Sequence, residues 1–130
     1  MIMISTTFNC RLGQFRLWSP YTSEPFQIAN YGLGGQYSTH LDPHSYWEGA
    51  VRSDLAQVAE RGDRLVTIMA YLEDVAAGGA TAFANTGITI PVKKGDAAFW
   101  VNLRTSGYVD RYLKLELIHS REHFSNVYLY

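Results

Sequence analysis

A chain of 130 residues, 47 % hydrophobic and 18 % charged, is the size and make-up of one folded domain, and this balance excludes a disordered segment. A net charge of −1 gives no electrostatic footprint for nucleic acid or an acidic membrane surface. The single cysteine, Cys10, excludes an internal disulfide and a cysteine-built zinc site, and no run approaches the roughly 18 apolar residues of a membrane span.

Residues 1–25 end in "SPYTSEP" and read as a divergent arm or linker. Their order, apolar first and then polar and basic, is the reverse of a secretory signal. Cys10 reads as a free thiol without a special role. From Phe26 the pattern changes. "FQIANY" is a short strand, "GLGG" a turn that needs chain freedom, and "QYSTHLD" a second strand. Side-chain alternation on that strand puts Thr39 and Leu41 on one face and His40 and Asp42 on the other.

"EGAVRSDLAQVAER" places Val51, Leu55 and Val58 at helical spacing, which fits a short amphipathic helix, with a surface loop as the competing reading. "RLVTIMAYLEDV" is a nearly continuous apolar run and predicts a strand buried on both faces. "GGATAF" follows a turn. "ITIPV" and "DAAFWVNL" flank the tight turn "KKG", with Ile88, Ile90 and Val92 alternating toward a core. Short strands separated by Gly-bearing turns, with little helix, predict an all-β sandwich or jelly roll with minor α content. In the tail, "YLKLELIH" fits a strand and a helix about equally.

A histidine and an aspartate two residues apart on a strand point the same way and suit neighbouring positions of an octahedral ion. Mixed nitrogen and oxygen donors, completed by a distant third ligand, favour Fe(II) with open positions for chemistry. An isolated His-x-Asp is a weak signal, but this one has company. "IANYGLGGQYSTHLD", "GDRLVTIMAYLEDVAAGGATAF" and "VKKGDAAFWVNLRTSG" follow in that order. Together they resemble the catalytic domain of prolyl 4-hydroxylase alpha subunits, the collagen-modifying Fe(II)- and 2-oxoglutarate-dependent dioxygenases.

The resemblance spans 26–107 and implies a double-stranded β-helix. It implies Fe(II), 2-oxoglutarate and L-ascorbate as cofactors, and hydroxylation of peptidyl proline with release of succinate and CO2. A collagen-like proline-rich peptide would be the substrate, a disulfide-isomerase-type beta subunit the partner, and the endoplasmic reticulum lumen the location. By the same resemblance His40 and Asp42 would be iron ligands, Tyr31 would lie near 2-oxoglutarate and Tyr37 at the substrate groove. Ordinary aromatic packing competes for both tyrosines. The family pattern assigns no ligand role to His44, although His40, Asp42 and His44 could also form a zinc or cupin-type site.

Past Gly107 the pattern breaks. The family's distal His and the Lys that holds the far carboxylate of 2-oxoglutarate have no counterpart in order. An ungapped continuation would put the distal ligand near Leu115, His119 comes a few residues late, and no Lys or Arg follows Arg121. Residues 108–130 therefore read as a non-family tail, as an unspliced intron or a displaced exon boundary would give. The jelly roll is then expected to be incomplete at its C-terminus, with His119 as a substitute third ligand. An inactive fragment or binding remnant is the competing reading.

Overall fold

The computed structural model describes residues 2–5, 23–46, 52–120 and 124–130. Among these residues nine strands and one α-helix follow in chain order: β1 (Ile2–Ser5), β2 (Gln27–Tyr31), β3 (Tyr37–His40), α1 (Arg52–Arg61), β4 (Val66–Tyr71), β5 (Gly78–Phe83), β6 (Ile88–Pro91), β7 (Ala97–Val101), β8 (Leu115–Ser120) and β9 (Phe124–Leu129). They build a five-stranded sheet, β1-β7-β4-β9-β2, and a four-stranded sheet, β3-β8-β5-β6, with every pair antiparallel. Consecutive strands repeatedly cross between the sheets, the mark of a jelly roll.

The core lies between the sheets. β4 contributes Met69 and Tyr71, β7 Ala98 and Trp100, β5 Phe83, β6 Ile90, β8 Leu115 and β9 Tyr128, all buried. These positions alternate along their strands, so each strand turns one row of side chains inward. Phe83 meets Trp100 edge to face at 5.4 Å between ring centroids. Tyr71 donates its hydroxyl proton to Thr81 Oγ1 across the interior at 3.0 Å, joining the two sheets.

The turn between β2 and β3 sets where β3 starts. Gly34 has φ +73°, and a Cβ on Gly35 would stand 2.8 Å from the Gly32 carbonyl oxygen, so "GLGG" admits no side chains at these two positions. "KKG" is a tight turn too, with Gly95 at φ +83°.

The segment with helical spacing is a helix, α1. The tail left open between strand and helix forms a 3-10 turn at Arg111–Leu113, capped by Asp110, and then the strand β8. After Gly107 the chain supplies β8 to one sheet and β9 to the other, each between two neighbours. Of the first 25 residues, Ile2–Ser5 pairs with β7 at the sheet edge. Cys10 lies outside the described residues.

Two details differ from expectation. Ile88 is 42 % exposed while Ile90 and Val92 are buried, because Ile88 opens an edge strand before it passes under the other sheet. Strand β4 is less evenly buried than its composition suggests, since Val66 and Ile68 on its outer face are only partly covered.

Candidate metal centre

β3 ends at His40, and Leu41, Asp42 and Pro43 leave it in a bend where all three are buried. Strict alternation stops there, yet the two side chains still converge: His40 Nε2 lies 3.3 Å from Asp42 Oδ1. Two neighbouring donors of an octahedral ion with bonds of about 2.1 Å stand about 3 Å apart, so this spacing suits two adjacent coordination positions.

Each donor is oriented from behind. His40 Nδ1 lies 2.8 Å from the Ser38 carbonyl oxygen, so Nδ1 carries the proton and Nε2 presents its lone pair. Asp42 is 2 % exposed, and its Oδ2 accepts from Thr67 Oγ1 at 2.6 Å and Trp100 Nε1 at 3.1 Å. Thr67 accepts in turn from Asn102 Nδ2 at 2.8 Å, and Asn102 also donates to the Arg64 carbonyl. Thr67 and Trp100 are register partners on β4 and β7, so both reach the carboxylate from one sheet. Oδ1 is left facing His40.

His44 turns away from this pair. Its backbone N–H donates to Asp63 Oδ1, and its Nε2 sits 3.4 Å from Glu24 Oε1. Tyr37 packs edge-on against the His40 ring at 4.3 Å and is 41 % exposed. Tyr31 places its hydroxyl 3.3 Å from that of Tyr128, and burial raises its pKa. Burial likewise pushes up Tyr128 and Tyr130.

Opposite the pair the described residues offer no donor. β8 runs antiparallel to β3 with Leu115 directly across from His40 and Leu117 across from Tyr37. Leu113 and Leu115 are buried. His119 lies four residues beyond Leu115, roughly 13 Å along the strand at about 3.3 Å per residue and past the end of β3. Its backbone position is therefore two residues beyond the one paired with Tyr37. Among the described residues no group of three His, Cys, Asp or Glu side chains converges on one point. The donors thus fit two positions of a metal, and the third protein position is not supplied by the described residues.

Beside the pair opens a pocket of about 360 Å³ lined by Gln27, Tyr37, His40, Asp42, Arg64 and Tyr130, among others. Arg64 donates Nε–H to Glu24 Oε1 at 2.6 Å and Nη2–H to Glu24 Oε2 at 2.8 Å. Its guanidinium carbon stands 3.7 Å from the Tyr130 ring centroid. Burial opposes the Arg64 charge, but the Glu24 hydrogen bond and charge outweigh it and raise its pKa. The Arg64 hydrogen bond lowers the pKa of Glu24.

Sequence reading missed Trp100 as a carboxylate donor and Arg64 as a pocket residue. Trp100 was legible in principle, since its inward parity matches that of Thr67. Arg64 was not, because its setting depends on Glu24 and Tyr130 from opposite ends of the chain.

The chain belongs to the 2OG-Fe(II) oxygenase superfamily: residues 26–126 match that family. The match runs past Gly107 into β9. Human prolyl 4-hydroxylase subunit alpha-1 is 38 % identical over 130 residues, covering 98 % of this chain and 24 % of that protein. Prolyl 4-hydroxylase subunit alpha-2 of Gallus gallus is 42 % identical over 103 residues, covering 78 % of this chain and 18 % of that one. The chain therefore spans about a quarter or less of these relatives. The crystal structure of the viral collagen prolyl hydroxylase of Paramecium Bursaria Chlorella virus-1 superimposes with a TM-score of 0.66 at 21 % identity, over 82 % of this chain and 54 % of that one. The shared fold is the double-stranded β-helix.

Proposed function

We propose that this chain is catalytic-domain sequence of a prolyl 4-hydroxylase, hydroxylating peptidyl proline with release of succinate and CO2. The observation that carries this reading is the prepared donor pair, with His40 Nε2 freed by the Ser38 carbonyl and Asp42 Oδ1 freed because Thr67 and Trp100 hold Oδ2. His40 and Asp42 would hold Fe(II). Together with 2-oxoglutarate and dioxygen, a metal held by this pair would supply the chemistry for hydroxylating proline C4, one oxygen atom going to proline and the other to succinate, with L-ascorbate as reductant. Tyr37, exposed beside His40, would contact the peptide at the pocket mouth, and Tyr31 would border the cosubstrate. On the family resemblance alone, the proposal extends to a collagen-like substrate, a disulfide-isomerase-type beta subunit and the endoplasmic reticulum lumen.

Leu115 favours a second reading, a remnant that keeps the sheets and binds without oxidising. An apolar side chain stands where a β8 ligand would face His40. One experiment separates the two. Fe(II) and 2-oxoglutarate added without oxygen should give the visible charge-transfer band of the chelate, and Asp42→Ala should weaken metal binding at least about 100-fold, or about 2.7 kcal/mol. No band in the parent chain, but a band in Leu115→His, would replace the enzyme reading with the remnant.

A further inference from the structure

The pocket beside His40 and Asp42 contains one permanently charged cation among its described lining residues, Arg64. No Lys or Arg lies on β9, whose sequence is FSNVYL. We infer that Arg64 is the recognition group for a ligand carboxylate in this pocket and that Glu24 is its built-in competitor.

Three features carry this. Glu24 engages Arg64 through two parallel N–H···O bonds, the fork geometry by which a guanidinium recognises any carboxylate. The guanidinium is also held without Glu24: Nη1 donates to the Asp42 carbonyl oxygen at 3.2 Å and the plane rests on the Tyr130 ring. An arginine fixed in this way keeps its orientation when its carboxylate partner leaves, so little ordering cost falls on an incoming ligand.

The third feature is the competitor's own setting. Glu24 is 40 % exposed and belongs to an irregular segment before β2. Its backbone N–H reaches the Tyr130 carbonyl at 3.2 Å, and its side chain meets Arg64 and, at 3.4 Å, His44 Nε2. A partly solvated carboxylate can be exchanged for another at modest cost, because its charge returns to water as the ligand's charge leaves it. Displacement of Glu24 frees two guanidinium N–H groups of this pocket-lining arginine. The fitting ligand is a small dicarboxylate, one end on Arg64 and the other free for the His40–Asp42 side. The proposal rests on the family reading only for which dicarboxylate occupies the site in the cell.

The test uses the whole chain, stripped of metal with chelator, and succinate as the probe followed by calorimetry. Neutralising the competitor in Glu24→Gln should tighten succinate binding about tenfold or more, and Glu24→Ala should do the same. Adding Arg64→Met to either variant should abolish the gain. If both Glu24 variants keep the parent melting temperature and bind succinate no more tightly, the proposal is overturned. Tighter binding that survives Arg64→Met overturns it as well. Because no metal is present, these outcomes are independent of whether the iron reading stands.

Discussion

The two halves of the pocket are built on opposite principles. On the side of β3, β4 and β7, the buried carboxylate of Asp42 is matched donor for donor by Thr67 and Trp100, with Asn102 behind them. On the side of β8 and β9, buried Leu115 stands across from His40, phenols line the interior, and Asn126 is fully buried with neither side-chain polar atom making a full hydrogen bond among the described residues. Buried polarity is tolerated when each group has a partner and is costly when it does not. The first half therefore looks shaped to keep a charge in place. The second keeps the fold but holds no complementary ligand.

The largest effect that would sharpen this contrast is alkaline unfolding. Burial pushes the Tyr71 phenol up to about 12 and raises Tyr128 further. Above pH 10 the unfolded chain gives up these protons while the folded state keeps them. The unfolded state then binds fewer protons, and stability falls as pH rises. The expected slope is about 1.4 kcal/mol per pH unit for each phenol, continuing toward the folded pKa. Urea unfolding between pH 9 and 11 measures it, and Tyr128→Phe on β9 should remove the phenol-lined half's share of the slope. A flat profile would show that the phenol half is wetter than its burial suggests.

Next in size is the donor network. Trp100→Phe keeps the ring in the core but takes one of the two donors from Asp42 Oδ2. A lost hydrogen bond to a buried charged group costs about 2 kcal/mol. Metal affinity should fall roughly tenfold or more, because the carboxylate is no longer held with Oδ1 toward His40. Chemical denaturation and metal titration check the two effects. Loss of stability with unchanged metal affinity would reduce Trp100 to a packing residue.

Much of this fold could be read from local pattern. The strands around "GLGG" and "KKG" follow from alternation and from glycines that the turns require; His40 and Asp42 are expected to converge on one strand, and they converge although Asp42 lies in the bend after it. What escaped was long-range register. That Leu115 faces His40 depends on how β8 pairs with β3, and a shift of one residue would have turned that side chain to the opposite face. Ile88 illustrates the same limit: its alternation was right, but its place on an edge strand left it exposed. The Arg64 setting joins residues 24, 64 and 130, contacts that no local period encodes. The position of His119, four residues past Leu115, is likewise a matter of register and not of composition.

The smallest effect cuts most directly between the two halves. Asn126 sits on β9 between β4 and β2, level with Tyr71 and Ala29. Neither polar atom makes a full hydrogen bond to a described residue, and the remaining polar contact, to the Tyr128 phenol, is weak, so replacing Asn126 removes a desolvation cost larger than what it breaks. Asn126→Val, whose branched side chain also suits an interior strand, should stabilise the chain by about 1 kcal/mol. For a domain of this size that is a rise of roughly 3–5 °C in melting temperature. The opposite sign is expected for Thr67→Val, which deletes a hydroxyl that both Asp42 and Asn102 use. If Asn126→Val destabilised instead, Asn126 would be holding a bridging water or ligand, and the phenol-lined half would be a polar site in its own right.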